Sequence, residues 1–209
     1  FTIHPSTEKH GGGGKTNTKR TEMTDAGDEG AAREKRKLFD FMDSHGIIDH
    51  PTVYHERVFT CEAADRITSE VPGVKTKTLF MRDRSKPSPR FWLVIAASTK
   101  RIDIKNLSKR LGAKGGLTFA SDTDLVSRLK VTAGSVTPLA LVNDMDGSIM
   151  VVVDEELLGK DVKVAFHPLN NDATTVLTGA DFAKFLTVTN HIPFAQLGRE
   201  EEEGGKSQI

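Results

Sequence analysis

The sequence predicts an α+β fold of the mixed α/β kind: a mixed β-sheet with helices around it. Three observations carry this. Short runs rich in β-branched and aromatic residues are interspersed with stretches of helical spacing. Several strand runs are direct neighbours joined by turn-forming residues, which is hairpin order rather than a parallel β–α–β series. The aliphatic side chains concentrate between about residues 32 and 197 of the 209, which is one ordinary domain with tails.

Residues 1–31 hold almost no aliphatic side chain and include four successive glycines, Gly11 to Gly14. Too little apolar surface is available there to offset the entropy of ordering, so a flexible, charged, glycine-rich extension is expected. The folded domain is expected over 32–198, followed by an acidic, solvated tail over 199–209. Leu38, Phe39, Phe41 and Met42 recur at helical spacing and predict an amphipathic helix over 32–44, stopped at His45-Gly46. Residues 52–55 read as a short strand. Thr60 is a candidate N-cap, with Glu62 in the first turn of a helix to about Glu70.

After the Pro72-Gly73 turn, residues 76–82 and 90–97 read as a hairpin, its polar loop holding Ser85, Pro87, Ser88 and Pro89. A helix follows over 103–111, with Ile104, Leu107 and Leu111 inward and Gly112 as its stop. Residues 117–119 make a short strand, and Ser121 with Asp124 makes a capping-box start for a helix to Lys130. Beyond the loop Gly134-Ser135-Val136-Thr137-Pro138, residues 139–143 read as a buried strand. Asp146-Gly147 is a hairpin signal, with 149–153 as the return strand. A helical turn at 154–158 and strands at 162–166 and 173–177 come next. Thr178 with Asp181 then opens a last helix to about Val188. There is no internal repeat.

The totals exclude several classes. A formal net charge of +0 gives no overall pull towards a polyanion, so any nucleic-acid contact must come from a local patch. The single cysteine, Cys61, excludes a disulfide framework and a cysteine-rich zinc site. No run approaches the ~20 apolar residues of a membrane span, and the first residues lack the apolar core of a secretory signal. A cytoplasmic protein is expected, and a chain that opens on Phe1 reads as a fragment or a processed form. The phosphate loop, the dinucleotide fingerprint after a strand, the His-Glu-x-x-His helix and the nucleophile elbow are all missing. The seven histidines include no pair at metal-ligand spacing, so neither metal nor cofactor is expected.

Some polar residues stand out, each with two readings. Gly134 can take positive φ, and Pro138 stiffens the other end of the loop. The loop is either a plain connection or a presenter of N–H donors to an anion or carbonyl oxygen. Lys77 shares a strand face with Leu79 and Met81. It is either a strand-start lysine reaching solvent or a cation in a cleft. His167, at a strand end before Pro168, is either structural or part of a site. Lys100, Arg101, Lys105, Lys109, Arg110 and Lys114 form one basic surface, and Arg82, Arg84, Lys86 and Arg90 a second. Both are either solvated faces or phosphate contacts.

Taken in order, these stretches resemble the YbaK/ProX-type aminoacyl-tRNA editing domains, closest to freestanding prolyl-tRNA editing proteins that deacylate alanyl-tRNA(Pro). The segments that carry the resemblance span about residues 35–195. They are Gly46-Ile47, His55, Val58 to Ala63, Gly73, Lys77 to Asp83, Phe91 to Val94, Leu117 to Ser121, Gly134 to Pro138, Leu141 to Asp144, Phe166 to Asn171 and Ala173 to Thr175. The resemblance implies a strongly curved mixed sheet flanked by helices. It implies that Lys77 is the site lysine engaging the charged 3′ end of the tRNA. It also implies that Gly134, Ser135, Val136, Thr137 and Pro138 line the aminoacyl pocket and that His167 stands at its edge. Many relatives have Lys-Asn where this chain has Lys77-Thr78, so Thr78 takes the place of a pocket amide. The implied partner is mischarged tRNA; separately, the N-terminal extension is a candidate attachment to a synthetase assembly. Two other readings stay open: a Cys-tRNA(Pro) deacylase, whose loop typically reads Gly-Gly-Ile-Ser-Pro, and a non-catalytic adaptor that binds tRNA or synthetase.

Overall fold

A computed structural model describes residues 18–56, 71–85 and 87–198. Its centre is strand β3, Phe91–Ala97, in which every residue is buried. A continuous apolar run of that kind fits a strand covered on both faces. β3 pairs antiparallel with β2, Val74–Asp83, from Thr76 opposite Ala97 to Arg82 opposite Phe91. On its other side it pairs parallel with β5, Ile149–Asp154, which in turn pairs parallel with β8, Ala195–Leu197.

β2 is where the sheet forks. Its start, Val74 and Lys75, runs parallel to β6, Lys163–Phe166. β6 continues antiparallel to β7, Ala173–Thr178, and β7 to β1, Thr52–Tyr54, at the edge. The end of β2, Met81 to Asp83, pairs instead with β4, Leu117–Phe119. The result is one mixed sheet of eight strands among the described residues.

Alternation along the strands gives the sheet two faces. On one, Phe80, Phe91, Leu93, Ile95, Val151 and Phe166 join a single large core. Leu38 and Met42 of helix α1, Thr18–Ser44, complete it, with Phe182, Phe185 and Leu186 of the last helix. On the other face Met81, Trp92, Val94 and Val152 pack under Leu107 of helix α2, Ile104–Arg110, and under Leu111, its C-cap. Val71, Ala165 and Val176 form a separate small cluster there.

The caps follow the sequence. Ser121 and Asp124 form a reciprocal capping box. Thr178 caps helix α3, Gly179–Val188, by accepting from the Asp181 N–H. The expected start at Thr60 and its helix to Glu70 lie outside the described residues. α1 begins at Thr18, earlier than the apolar spacing indicated, and so takes in part of the stretch expected to be an extension.

Two expectations are corrected. Residues 139–143 are not a strand: Pro138–Asn143 is a 3₁₀ helix. Thr137 caps it, accepting from the Leu139 N–H, and Pro138 supplies the fixed φ of a first helical position. Leu139, Ala140 and Leu141 are all fully buried, a burial pattern that a short buried strand would share. Asp146-Gly147 consequently joins no hairpin. Gly147 still makes the turn at φ 65, and a Cβ there would sit 2.7 Å from the Asn190 carbonyl oxygen. β5 takes two parallel partners instead. β8 was not expected, because three residues after a proline carry too little pattern.

Candidate functional site

Lys77 lies on the face of β2 that holds Leu79 and Met81, in the break between the two smaller clusters. Its ammonium donates to the Ser98 carbonyl at 3.1 Å and to the Lys100 carbonyl. It therefore anchors the turn after β3, and one of its three N–H groups remains. The same turn is held by Lys100, whose ammonium lies 2.8 Å from the fully buried Asp154 carboxylate.

Thr78 faces the other way, with Phe80. Its backbone is as telling as its side chain. The Phe80 carbonyl accepts from Ala120 on the β4 side, and the Lys75 carbonyl accepts from Ser98 on the β3 side. Main-chain groups alternate sides along a strand, so the N–H and C=O of Thr78 point into the gap of the fork, between the β6 and β4 pairings. No hydrogen bond engages them there among the described residues.

The loop before the 3₁₀ helix is stiff. Gly134 stands at φ 83, and a Cβ on it would meet nothing within 4 Å. Its glycine requirement is thus conformational, and the space before it is open. Ser135 is buried and donates its N–H to Thr132, while Val136 packs against the large core. Thr137 and Pro138 are buried too. The N–H groups of Gly134, Val136 and Thr137 donate to no protein acceptor among the described residues.

His167 follows β6. Its Nδ1 lies 3.1 Å from the Ala173 carbonyl oxygen. A carbonyl can only accept, so that contact assigns the proton to Nδ1 and leaves Nε2 as an acceptor in the neutral ring. Burial pushes the His167 pKa below the ordinary histidine value. The Ala173 carbonyl opposes this, the His55 charge adds to it, and Asp172 opposes it again. His55 is the residue that spacing missed. Its ring stands edge-on to His167 at 6.4 Å between centroids, and its Nε2 lies 2.9 Å from the Thr174 hydroxyl. The pairing of β1 with β7 makes this meeting, across a separation no local pattern carries. Asp172 beside it pairs at 2.6 Å with the buried Lys35 of α1.

The structure thus joins His167 to His55, and Lys77 to the 98–100 turn. No described hydrogen bond, ion pair or ring contact links Lys77, the 134–138 loop and His167 to one another. Among the described residues no group of three or more His, Cys, Asp or Glu is placed to hold a metal ion, and no helix is long and apolar enough to cross a membrane.

Comparison with known proteins addresses the whole domain. The aminoacyl-tRNA editing domain model matches residues 55–185. The mouse prolyl-tRNA synthetase associated domain-containing protein 1 is 35% identical over 170 residues, covering 80% of this chain and 96% of the mouse protein. The prolyl-tRNA editing protein ProX of Acetoanaerobium sticklandii is 35% identical over 139 residues, 66% of this chain and 82% of that protein. A solved structure described as a "putative trans-editing enzyme for prolyl tRNA synthetase" superposes with a TM-score of 0.55 at 17% identity, covering 76% of this chain and 92% of that one. That last likeness concerns the fold, and it agrees with the forked mixed sheet. With the family model spanning more than half its length, the chain belongs to the aminoacyl-tRNA editing domain family of YbaK/ProX type.

Proposed function

We propose that the chain is a trans-editing deacylase that hydrolyses the aminoacyl ester of mischarged tRNA(Pro), with alanyl-tRNA(Pro) as its substrate. The observation that carries this reading is the set of unengaged N–H groups at Gly134, Val136 and Thr137 in a loop braced by Pro138. Ester hydrolysis needs a water to attack the carbonyl carbon and a stabiliser for the oxyanion that forms. Fixed backbone donors serve the second need without reorganising. Hydrolysis breaks the bond between the carbonyl carbon and the ribose oxygen, and that oxygen leaves with a proton.

The gap in the fork is the proposed entrance for the charged end. Thr78 would meet it there through its backbone and hydroxyl. The remaining N–H of Lys77 would hold a phosphate or carbonyl oxygen of the terminal adenosine. His167 offers Nε2 as an acceptor at the pocket edge. Ser135 and Thr137 line the wall; Thr137 already caps the 3₁₀ helix, which argues against it as a nucleophile. A pocket sized for alanine excludes larger side chains sterically, which is the second sieve needed because small apolar side chains differ by only ~1–3 kcal/mol in a binding site.

A panel of Ala-, Ser- and Cys-tRNA(Pro) tests the reading. Alanyl ester cleared fastest, with at least a tenfold loss in Lys77→Ala, is the expected result. Cysteinyl ester cleared while alanyl ester persists would assign the chain to the cysteine branch. The name of the mouse relative mentions a prolyl-tRNA synthetase associated domain and no activity, so the second reading to test is an adaptor that binds tRNA or a synthetase without catalysis. Binding without hydrolysis of any ester would support it.

A further inference from the structure

Beside α2 lies a groove of about 590 Å³ that the site described above does not use. Its floor is apolar, from Ile104, Ala113 and Leu117, and its rim carries Arg84, Lys105 and Lys109. The groove is built rather than loose. Gly112, Gly115 and Gly116 all take positive φ to fold the turn, and the Arg84 N–H donates to the carbonyls of Lys114 and Gly116. All three rim cations are exposed, and none has an ion-pair partner among the described residues.

Their neighbours behave differently. Lys100 is held by Asp154. Arg90 is held by Asp83 at 3.1 Å and lies 4.9 Å from the Trp92 ring. Arg110 donates to the Gln196 carbonyl at 2.9 Å. A merely solvated helix face would intersperse carboxylates, yet α2 contains none. Three free cations around one groove fit a ligand with several anions in a row. The kind of ligand follows from Phe119, which is 59% exposed. It shares a sheet face with Leu117 and stands opposite Met81. Phe119 lies outside the lining, two residues along β4 from the groove's Leu117, and an exposed ring near a row of cations is how unstacked bases are held. Along β2, Lys77 and the groove at Leu117, which faces Asp83, are six residues or ~20 Å apart, on the same face of the sheet.

We propose that this groove binds the phosphodiester backbone of the RNA substrate, with Arg84, Lys105 and Lys109 on phosphates and Phe119 against a base. The identity of the RNA rests on the deacylase reading; the groove itself does not.

The test uses the full chain and uncharged tRNA(Pro), followed by fluorescence anisotropy between 50 and 200 mM salt, for wild type, Phe119→Ala and the double variant K105E/K109E. Each phosphate contact on a single strand contributes about 0.7 to the slope of log affinity against log salt. The double variant should flatten that slope by at least about 1.4, and Phe119→Ala should weaken binding about tenfold without changing it. Hydrolysis of 3′-alanyl-adenosine, too short to reach the groove, should be equal in wild type and double variant, while kcat/KM for alanyl-tRNA(Pro) falls in the variant. Unchanged affinity and slope would overturn the proposal. So would equal losses on the short and the full substrate, or lysine-dependent binding to phosphatidylserine vesicles with none to tRNA. Lysine-dependent tRNA binding with no ester hydrolysis would remove the deacylase reading and keep the groove.

Discussion

On one face of the sheet, Phe91, Leu93 and Ile95 of β3 join α1, α3 and the 3₁₀ helix in one uninterrupted core. On the other, Trp92, Val94 and Ala96 belong to a smaller cluster that stops where Lys77 stands. Most of the polar residues singled out here sit on the second face or at the fork: Lys77, Lys100, Asp154, and the groove with its free cations. The 134–138 loop is the exception, backed through Val136 by the large core. The contrast teaches a division of labour. A continuous apolar layer can hold a loop still, while a broken layer leaves room for cations to reach solvent or a ligand.

Substitutions can break or sharpen this contrast. The largest effect is expected at Leu141, fully buried in the continuous core. Leu141→Ala should lose about 2–5 kcal/mol of stability by urea titration, and Leu107→Ala, on the smaller cluster, should fall at or below the low end of that range. Equal losses would dissolve the distinction between the faces. Next comes Gly134→Ala. Open space means its stability loss should be only the ~1–2 kcal/mol of a left-handed non-glycine residue. Hydrolysis should drop at least 10²-fold if the loop donors hold the oxyanion. A stable, fully active variant would remove the loop from the chemistry.

Asp83 tests the end of β2 that pairs with β4. Burial pushes its pKa up, but hydrogen bonds from the Ser85 hydroxyl, the Arg90 side chain and the Arg90 and Ser85 N–H groups outweigh this and hold it below 3.8. A depressed carboxylate contributes stability above the unfolded value, and that stability is lost as pH falls through the folded one. Asp83→Asn should cost about 1–3 kcal/mol at pH 7, and the difference from wild type should close in acid. The smallest expected effect is at His167. Its folded pKa is depressed below 6.5, so the unfolded chain takes up the proton first. Its contribution is present above pH 6.5 and fades as pH falls from there towards the folded value. The acid limb of the rate profile should accordingly lie below 6.5; a limb above it would mean that His167 is not the titrating group.

Much of this was legible in the chain. The capping pairs Ser121–Asp124 and Thr178–Asp181, the hairpin of β2 and β3, and the stop at Gly112 rest on local chemistry, which a few adjacent residues encode. Residues 139–143 form a 3₁₀ helix where a strand is expected, because a short buried apolar run has the same composition in both. The 3₁₀ form is also the one that Thr137 as cap and Pro138 at the first helical position suit.

By itself, then, the sequence determined the mixed class, the positions of most elements, and the residues that mark the family. Only the tertiary structure decided that β5 runs parallel to β3 and β8, that β2 forks with Thr78 in the gap, that His55 meets His167, and that Lys77 binds the 98–100 carbonyls. The reason is range. Propensity, caps and turns act over a few residues, whereas pairing and side-chain contact are settled by which distant segments can be buried together.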